Sequence, residues 1–304
     1  MRNEQEMYEL ILGTAREDER IRAVYMNGSR TNINAPADIF QDYDVVYVVS
    51  DTGPFMRDRS WIDRFGERLF MQYPEGDFQY LSKDAQSLGE APQYPADMDR
   101  CYGWLMQFAD GNRLDLHVVT LDYALETILE DRLCRILLDK DSCLPDVGEA
   151  TNQDYWVKMP DERTFLDTCN EFWWCLDNVA KGLWRQEIPY AQDMVNLYVR
   201  PQLTLLLSWK VGIRTGFSVS VGKCGKYLYR WLTPGEWAEY LATYGPGNVN
   251  GMWEAAEVMC RLFDRTARLV GRELGVHYDE KEAENCMAFL RHVRQLPGEA
   301  REIY

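Results

Sequence analysis

Histidines, metal-binding cysteine motifs and long apolar runs are scarce in this chain. Only three histidines occur in 304 residues, and none of the eight cysteines stands in a Cys-x-x-Cys pair, so a zinc site is not expected. The longest apolar run, LTLLLSWKVGI (203–213), contains Lys210 and is far shorter than the roughly 20 residues of a membrane span. The N-terminal stretch is charged and has no apolar signal-peptide core. These absences predict a cytoplasmic protein with reduced cysteines and no membrane partner.

Basic residues are also in deficit. The chain has 33 Lys and Arg against 49 Asp and Glu, a net charge of −16. Such a surface repels a phosphate backbone, which argues against a nucleic acid partner. The acidic balance favours a small cationic substrate, although a need for solubility explains it equally well.

The two halves of the chain carry different periodicities. Alternating β-branched and aromatic residues predict strands within 20–50 and 100–120, with GNR (111–113) as a hairpin turn. Helical spacing is found in the same half at 3–17, 58–71 and 121–137.

After about residue 155 only helical signals remain. Apolar residues between Phe165 and Leu183 recur on one helix face, and Thr233-Pro-Gly-Glu236 and Asp279-Glu-Lys-Glu282 are capping-box sequences. We therefore expect an α+β fold. Residues 1–153 should form a domain with a mixed β-sheet flanked by helices, and residues 154–304 a domain that is a helical bundle.

Three acids lie in or beside predicted core strands, where charged side chains are not expected, and a glycine follows a further predicted strand. Asp42 and Asp44 head the apolar run VVYVV on one strand face, where their charges repel unless a cation neutralises them or one is protonated. Asp115 interrupts another apolar strand, RLDLHVV. Gly28 follows the strand-like AVYMN and lets the backbone approach a phosphate, while Ser29 offers N–H and O–H donors.

Carboxylates of this kind select hard cations, and Mg²⁺ is typically shared between a few carboxylates and substrate phosphates. A lone Asp-x-Asp is more often a solvated strand end. The combination of the three acids with the Gly-Ser pair predicts a site for magnesium and a nucleotide.

These segments resemble the nucleotidyltransferase fold of the polymerase β type, and more closely the aminoglycoside 6-adenylyltransferases, which modify streptomycin. The resemblance rests on NGSRTN (27–32), ADIFQDYDVVYVV (37–49), MQYPE (71–75), YGWLMQFADGNRLDLHVV (102–119) and YVRPQLTLLLSWKVGIRTGFSVSVGKCGKYL (198–228). It implies Mg²⁺-dependent transfer of AMP from ATP to the 6-hydroxyl of streptomycin, with release of pyrophosphate, and hence antibiotic resistance.

The resemblance also implies roles for individual residues. Asp42 and Asp44 would bridge two Mg²⁺ ions, and Asp115 would complete one metal shell and is a candidate acceptor for the hydroxyl proton. ATP phosphates would be held by a further set of residues: Gly28, Ser29, Arg30, Lys223 and Lys226. For Arg30 a surface ion pair, and for the two lysines a solvated loop, are the alternatives.

Further residues are candidates for contact with the acceptor. Glu75 either orients the substrate, serves as an alternative base or lies in a surface turn, and His117 is expected to be a strand histidine with a satisfied partner. Streptomycin carries two guanidinium groups, which aromatic faces and carboxylates bind. The resemblance makes the helical bundle, residues 154–304, the substrate-binding domain. Its candidate contacts are Asp177 and Trp174, which lies on the helix face next to the core residue Trp173.

Two rival functions remain open at this point. The same metal chemistry serves other acceptors, such as a lincosamide or a protein hydroxyl. A non-catalytic relative that binds a nucleotide, as the nucleotidyltransferase-like antitoxins do, is the other alternative, and the three intact acids argue against it.

Overall fold

Residues 1–75 and 97–304 are described by the computed structural model. Their contacts divide the chain into two units, Met1–Asp154 and Tyr155–Tyr304. The first unit contains a β-sheet with helices, and the second is formed by helices and turns. Within these described ranges, no helix combines the length and the apolar character that a membrane crossing requires. The α+β class predicted from the sequence is confirmed.

The described residues of the first unit form a mixed six-stranded sheet. Its strands are β1 (Ile21–Asn27), β2 (Tyr43–Val49), β3 (Arg68–Gln72), β4 (Cys101–Phe108), β5 (Arg113–Thr120) and β6 (Cys134–Asp139). Their spatial order is β3-β4-β5-β2-β1-β6. Only β2 and β5 run parallel among these neighbours, so both strands begin at the same edge of the sheet.

Alternation along β2 assigns its side chains to two different cores. Tyr43, Val45, Tyr47 and Val49 point into a large core that also holds residues of helices α1 (Glu4–Glu17) and α2 (Gly53–Arg57). Val46 and Val48 point into a smaller core beside helix α3 (Leu121–Thr127). Since side chains of a strand alternate, Asp44 lies on the same face as Val46 and Val48.

Two of the helices predicted in the first half are wrong over part of their length. In 58–71 the structure has a 3₁₀ turn, Trp61–Phe65, followed by β3. In 121–137 the helix ends at Thr127, and β6 begins at Cys134. Both strands lie at the ends of the sheet order. Runs this short do not distinguish strand from helix by periodicity, so pairing with a strand distant in sequence decided their conformation.

The second unit is built from packed helices joined by turns. In chain order they are α4 (Glu162–Trp184), α5 (Ile188–Asp193), a π-helical turn (Met194–Val199), α6 (Arg200–Thr215), α7 (Pro234–Ala242), α8 (Val249–Leu274) and α9 (Glu280–Gln295). The apolar stripe predicted between Phe165 and Leu183 is buried in α4. Phe172 of that stripe stacks on Phe263 of α8, with ring centroids 3.6 Å apart.

Of the two capping boxes predicted in the second unit, one is confirmed and the other forms only in part. Thr233 and Glu236 form the predicted capping box at the start of α7. At the start of α9 the Asp279 side chain accepts from the backbone N–H groups of Lys281 and Glu282. The Glu282 carboxylate accepts instead from Asn170 Nδ2 at 3.0 Å, so this helix has an N-cap but no reciprocal box.

Candidate active site

The parallel pairing of β2 and β5 brings the three predicted acids together. Asp44 is the direct register partner of Asp115, and Asp42 precedes the first residue of β2. One carboxylate oxygen from each of the three lies within 4.8 Å of the others. Asp115 is 9% exposed. The structure therefore places three carboxylates at one edge of the sheet, as the sequence predicted.

This arrangement raises the pKa of Asp44. Burial, followed by the charges of Asp42 and Asp115, raises the pKa of Asp44 to about 7. A carboxyl group held in this way is partly protonated near neutral pH unless a cation is bound beside it.

Gly28 makes room for the Asp44 side chain. It adopts φ +75°, where L residues with side chains are strained, and a Cβ at this position would overlap Asp44 Oδ2 and lie 2.8 Å from Cγ. Ser29 begins the 3₁₀ turn that follows, and the Gly28 carbonyl accepts from Thr31 N at 3.2 Å. The glycine predicted to approach a phosphate thus also lies directly against a predicted metal ligand.

Arg30 is engaged with the chain segment that enters β2. Its Nε donates to the Asp42 carbonyl and its Nη2 to the Gln41 carbonyl, both at 2.9 Å. The guanidinium also lies 3.7 Å from the centre of the Tyr43 ring. These contacts hold the backbone at Asp42, and the predicted phosphate contact of Arg30 stays a prediction.

Arg113 belongs to the cluster and was missed by the sequence analysis. Its Nε and Nη2 donate to the two oxygens of Asp115 at 2.8 and 2.6 Å, and its Nε lies 3.8 Å from Asp42 Oδ2. The signal was available, because residues 113 and 115 of one strand share a face. Arg113 supplies one positive charge to three negative ones.

A cavity of about 310 Å³ opens beside the acids. Its lining consists of Asn27, Gly28, Asp44, Val45, Val46, Leu105, Asp115, His117 and Asp131. Asn27 and Asp131 were not identified from the sequence. Asn27 is the register partner of Asp44 in β1, whereas Asp131 arrives from the loop before β6, a strand the sequence analysis had not predicted. Asp131 Oδ1 accepts from Leu133 N at 2.8 Å.

Glu75 and His117 form a pair on the same face of the sheet as Asp115. Glu75 Oε1 lies 3.4 Å from His117 Nε2, and Glu75 Oε2 accepts from Gly103 N at 2.8 Å. A Cβ at Gly103 would overlap the His117 ring, so the glycine lets the ring lie on the β4 backbone. His117 has the partner that was expected. The Glu75 side chain, only 13% exposed, points inward rather than into solvent.

The remaining predicted residues lie in the second unit. Lys223 and Lys226 are exposed at a 3₁₀ turn that follows Gly222, which has φ +74°. Trp174 is 68% exposed, whereas its neighbour Trp173 is 2% exposed, as predicted. Asp177 Oδ2 lies 2.6 Å from Lys181 Nζ, one turn further along α4.

The donor set at the three aspartates fits a hard divalent cation. All three ligands are carboxylate oxygens, which Mg²⁺ prefers, and they are few enough to leave room for phosphate and water oxygens. A cation beside Asp44 also offsets the burial and the neighbouring negative charges that together raise the pKa of Asp44.

Comparisons with known proteins show which family this chain resembles. A family model described as streptomycin adenylyltransferase matches residues 1–293. The aminoglycoside 6-adenylyltransferase of Bacillus subtilis (strain 168) is 37% identical over 281 residues, which is 92% of this chain and 94% of that protein. The Campylobacter jejuni enzyme of the same name is 37% identical over 284 residues, 92% of this chain and 93% of that protein.

Two further relatives extend over still more of the chain. The aminoglycoside 6-adenylyltransferase of Staphylococcus aureus is 35% identical over 293 residues, 96% of this chain and 99% of that protein. A crystal structure of an aminoglycoside 6-adenyltransferase from Bacillus subtilis is 32% identical and covers 97% of this chain and 100% of its own, with a TM-score of 0.46. Because the family match takes in nearly the whole sequence, including all three clustered aspartates, this chain belongs to the streptomycin adenylyltransferase family and is a nucleotidyltransferase.

Proposed function

We propose that this chain transfers AMP from ATP to a hydroxyl of an aminoglycoside and thereby confers resistance to it. Streptomycin, modified at its 6-position, is the first candidate acceptor. The convergence of Asp42, Asp44 and Asp115 beside a cavity is the observation that carries the proposal. The names of the relatives and of the family support the choice of acceptor.

The reaction forms one bond and breaks another at the α-phosphorus of ATP. The acceptor hydroxyl oxygen becomes bonded to that phosphorus, and the bond from phosphorus to the bridging oxygen of pyrophosphate breaks. The hydroxyl proton passes to a carboxylate, for which Asp115 and Glu75 are the candidates. Asp42, Asp44 and Asp115 would hold one or two Mg²⁺ ions, whose charge stabilises the attacking and leaving oxygens.

The phosphates of ATP require donors, and the first unit offers them close to the acids. Gly28 and Ser29 stand at the turn that contacts Asp44, so their backbone N–H groups are candidates for a phosphate contact. Arg30, Lys223 and Lys226 are proposed to add positive charge.

The direct test measures product formation. The protein is incubated with ATP, Mg²⁺ and streptomycin, and the drug is examined by mass spectrometry for the addition of one AMP unit. We expect AMP-streptomycin and an equal amount of pyrophosphate, and no product in EDTA. The absence of product with every aminocyclitol acceptor tried would refute the proposal.

The two rival functions give different results in the same assay. AMP attached only to a lincosamide or to a protein hydroxyl would keep the chemistry and change the acceptor. Nucleotide binding measured by calorimetry without turnover on any acceptor would indicate a non-catalytic relative.

Arg113→Met provides a test of the metal site that does not depend on activity. Removing the guanidinium leaves three carboxylates without their nearby cation. We therefore expect the free energy of unfolding in metal-free buffer to fall by about 1 kcal/mol. The value is small because Arg113 is half exposed. Mg²⁺ should then raise the melting temperature more in the variant than in the wild type. Arg113→Lys, which keeps the charge without the bidentate fork, should fall between them. Equal Mg²⁺ responses would contradict the site.

Trp174→Ala tests the proposed acceptor surface. The ring is mostly exposed, so its loss should leave stability and the KM for ATP unchanged while raising the KM for streptomycin about tenfold through lost cation–π contact. Trp173→Ala is the matched control, and because that ring is buried we expect it to cost about 3–5 kcal/mol of stability. An unchanged KM for streptomycin in Trp174→Ala would remove this residue from the acceptor site.

A further inference from the structure

Arg200, the first residue of α6, is a buried cation whose hydrogen bonds all go to neutral groups. It is 9% exposed. Its guanidinium donates to Asn196 Oδ1 at 3.2 Å, to Thr243 Oγ1 at 2.6 Å and to the Thr243 carbonyl at 3.0 Å. The Tyr244 ring covers one face, 3.6 Å from the guanidinium carbon. Within residues 1–75 and 97–304, no carboxylate forms an ion pair with Arg200.

This arrangement is unusual for a chain with a surplus of acids. The protein has 49 Asp and Glu against 33 Lys and Arg, and Lys210 further along α6 is paired with Glu236. A guanidinium remains charged even when burial lowers its pKa, as it does for Arg200. Burying such a charge is costly unless an anion compensates it. The tyrosines Tyr240 and Tyr244 are the titratable groups that bear on it.

A cavity of about 110 Å³ lies against this guanidinium. Its polar side is formed by Arg200, Gln192, Asn196 and Thr243, and its apolar side includes Leu176, Met252, Ala256 and Met259. The volume is several times the roughly 15 Å³ that one water molecule requires, so an anion of a few heavy atoms fits. Asn196 belongs to the π-helical turn before α6, and such turns are frequent at functional sites.

We propose that this cavity binds a small oxyanion, a carboxylate or a phosphate group whose oxygens accept hydrogen bonds from Arg200. The planar guanidinium suits both groups, and the bound anion supplies the negative charge that the protein does not provide there. The apolar side of the cavity accommodates a short carbon chain on a carboxylate. The site lies within the second unit and does not depend on the proposed adenylyl transfer.

The test measures the melting temperature of the full chain in inorganic phosphate, acetate and butyrate, each against chloride at matched ionic strength. We expect a saturable rise with at least one of the three oxyanions, because a ligand that binds only the folded state stabilises it. A lower half-saturation concentration for phosphate assigns the site to phosphate, and the reverse order assigns it to a carboxylate. No rise above that in chloride overturns the proposal.

Two variants locate the effect, with a matched control. Arg200→Met should weaken the anion response at least about tenfold, since hydrogen bonds to a charged group are lost. Arg214→Met removes the same charge from an exposed position on the same helix and should keep the wild-type response. Ala256→Leu fills the cavity while Arg200 stays in place, and it should weaken the response even if Arg200→Met does not fold. A response unchanged in Ala256→Leu contradicts the site.

Discussion

We expect Asp44→Asn to lower the rate of adenylyl transfer by about a hundredfold to a thousandfold and to leave the protein folded. Asp44 lies in β2, which pairs with β1 on one side and on the other with β5, the strand that carries Asp115. A neutral amide binds a hard cation less well than a carboxylate. The measurement is kcat/KM for streptomycin at saturating Mg²⁺ and ATP, with circular dichroism to establish folding. A folded variant with a near-normal rate would show that Asp44 is not a metal ligand.

The same substitution changes how stability depends on pH. Burial, Asp42 and Asp115 raise the pKa of Asp44 to about 7 in the folded state, whereas an unperturbed Asp has a pKa of about 3.9. Between these two values the folded protein binds more protons than the unfolded chain, so this group's contribution to stability falls as the pH rises from about 4 to about 7.

Asparagine does not titrate, so this fall should be absent in Asp44→Asn. In EDTA at about pH 8 we expect the variant to be more stable than the wild type by on the order of 4 kcal/mol, since the pKa difference is about three units and each unit corresponds to about 1.4 kcal/mol. Urea unfolding of both proteins from about pH 5 to about pH 8 measures how steeply the free energy of unfolding changes with pH in each. Identical slopes would mean that Asp44 is not the group held in a raised-pKa environment.

Gly28→Ala should reduce adenylyl transfer by about a hundredfold or more and destabilise the protein by about 1–3 kcal/mol. Gly28 has φ +75°, and the added Cβ would overlap the Asp44 carboxylate. The variant must therefore move either the turn at Ser29 or the Asp44 side chain, and both changes disturb the proposed metal site. Activity and urea unfolding are measured on the same preparation.

Gly111→Ala is the matched control for Gly28→Ala. Gly111 has φ +90° in the turn between β4 and β5, but a Cβ there would meet nothing within 4 Å. The Gly111→Ala substitution therefore introduces the same kind of backbone strain without the collision. The variant should lose stability while keeping the wild-type rate of adenylyl transfer. If both variants lost activity equally, backbone strain rather than the position of Asp44 would explain the effect.

Local patterns in the sequence were sufficient for much of the fold. The apolar stripe of α4 and the capping box at Thr233 are encoded within a few residues, because a helix relates positions three and four apart. The edge strands β3 and β6 were mistaken for helix. Their runs are short, and each became a strand by pairing with β4 or β1, an interaction that periodicity does not report.

The features of the candidate site also fall into those that the sequence predicted and those that it did not. That Asp42 and Asp44 share a face followed from strand alternation, and the glycine at 28 was singled out because it follows the strand-like AVYMN. The Arg113 fork on Asp115 and the contact of Glu75 with His117 were not predicted. The first is a rotamer choice, and the second joins segments 42 residues apart in the chain (117 − 75).

The sequence by itself determined the periodicity of each segment, the face on which each acid lies and the family to which its motifs point, since all of these depend on neighbouring residues. Tertiary structure alone decided that Asp44 stands opposite Asp115 and that Arg200 is buried among neutral partners. Strand register and the choice of a buried partner depend on packing between segments far apart in the chain, which no local pattern specifies.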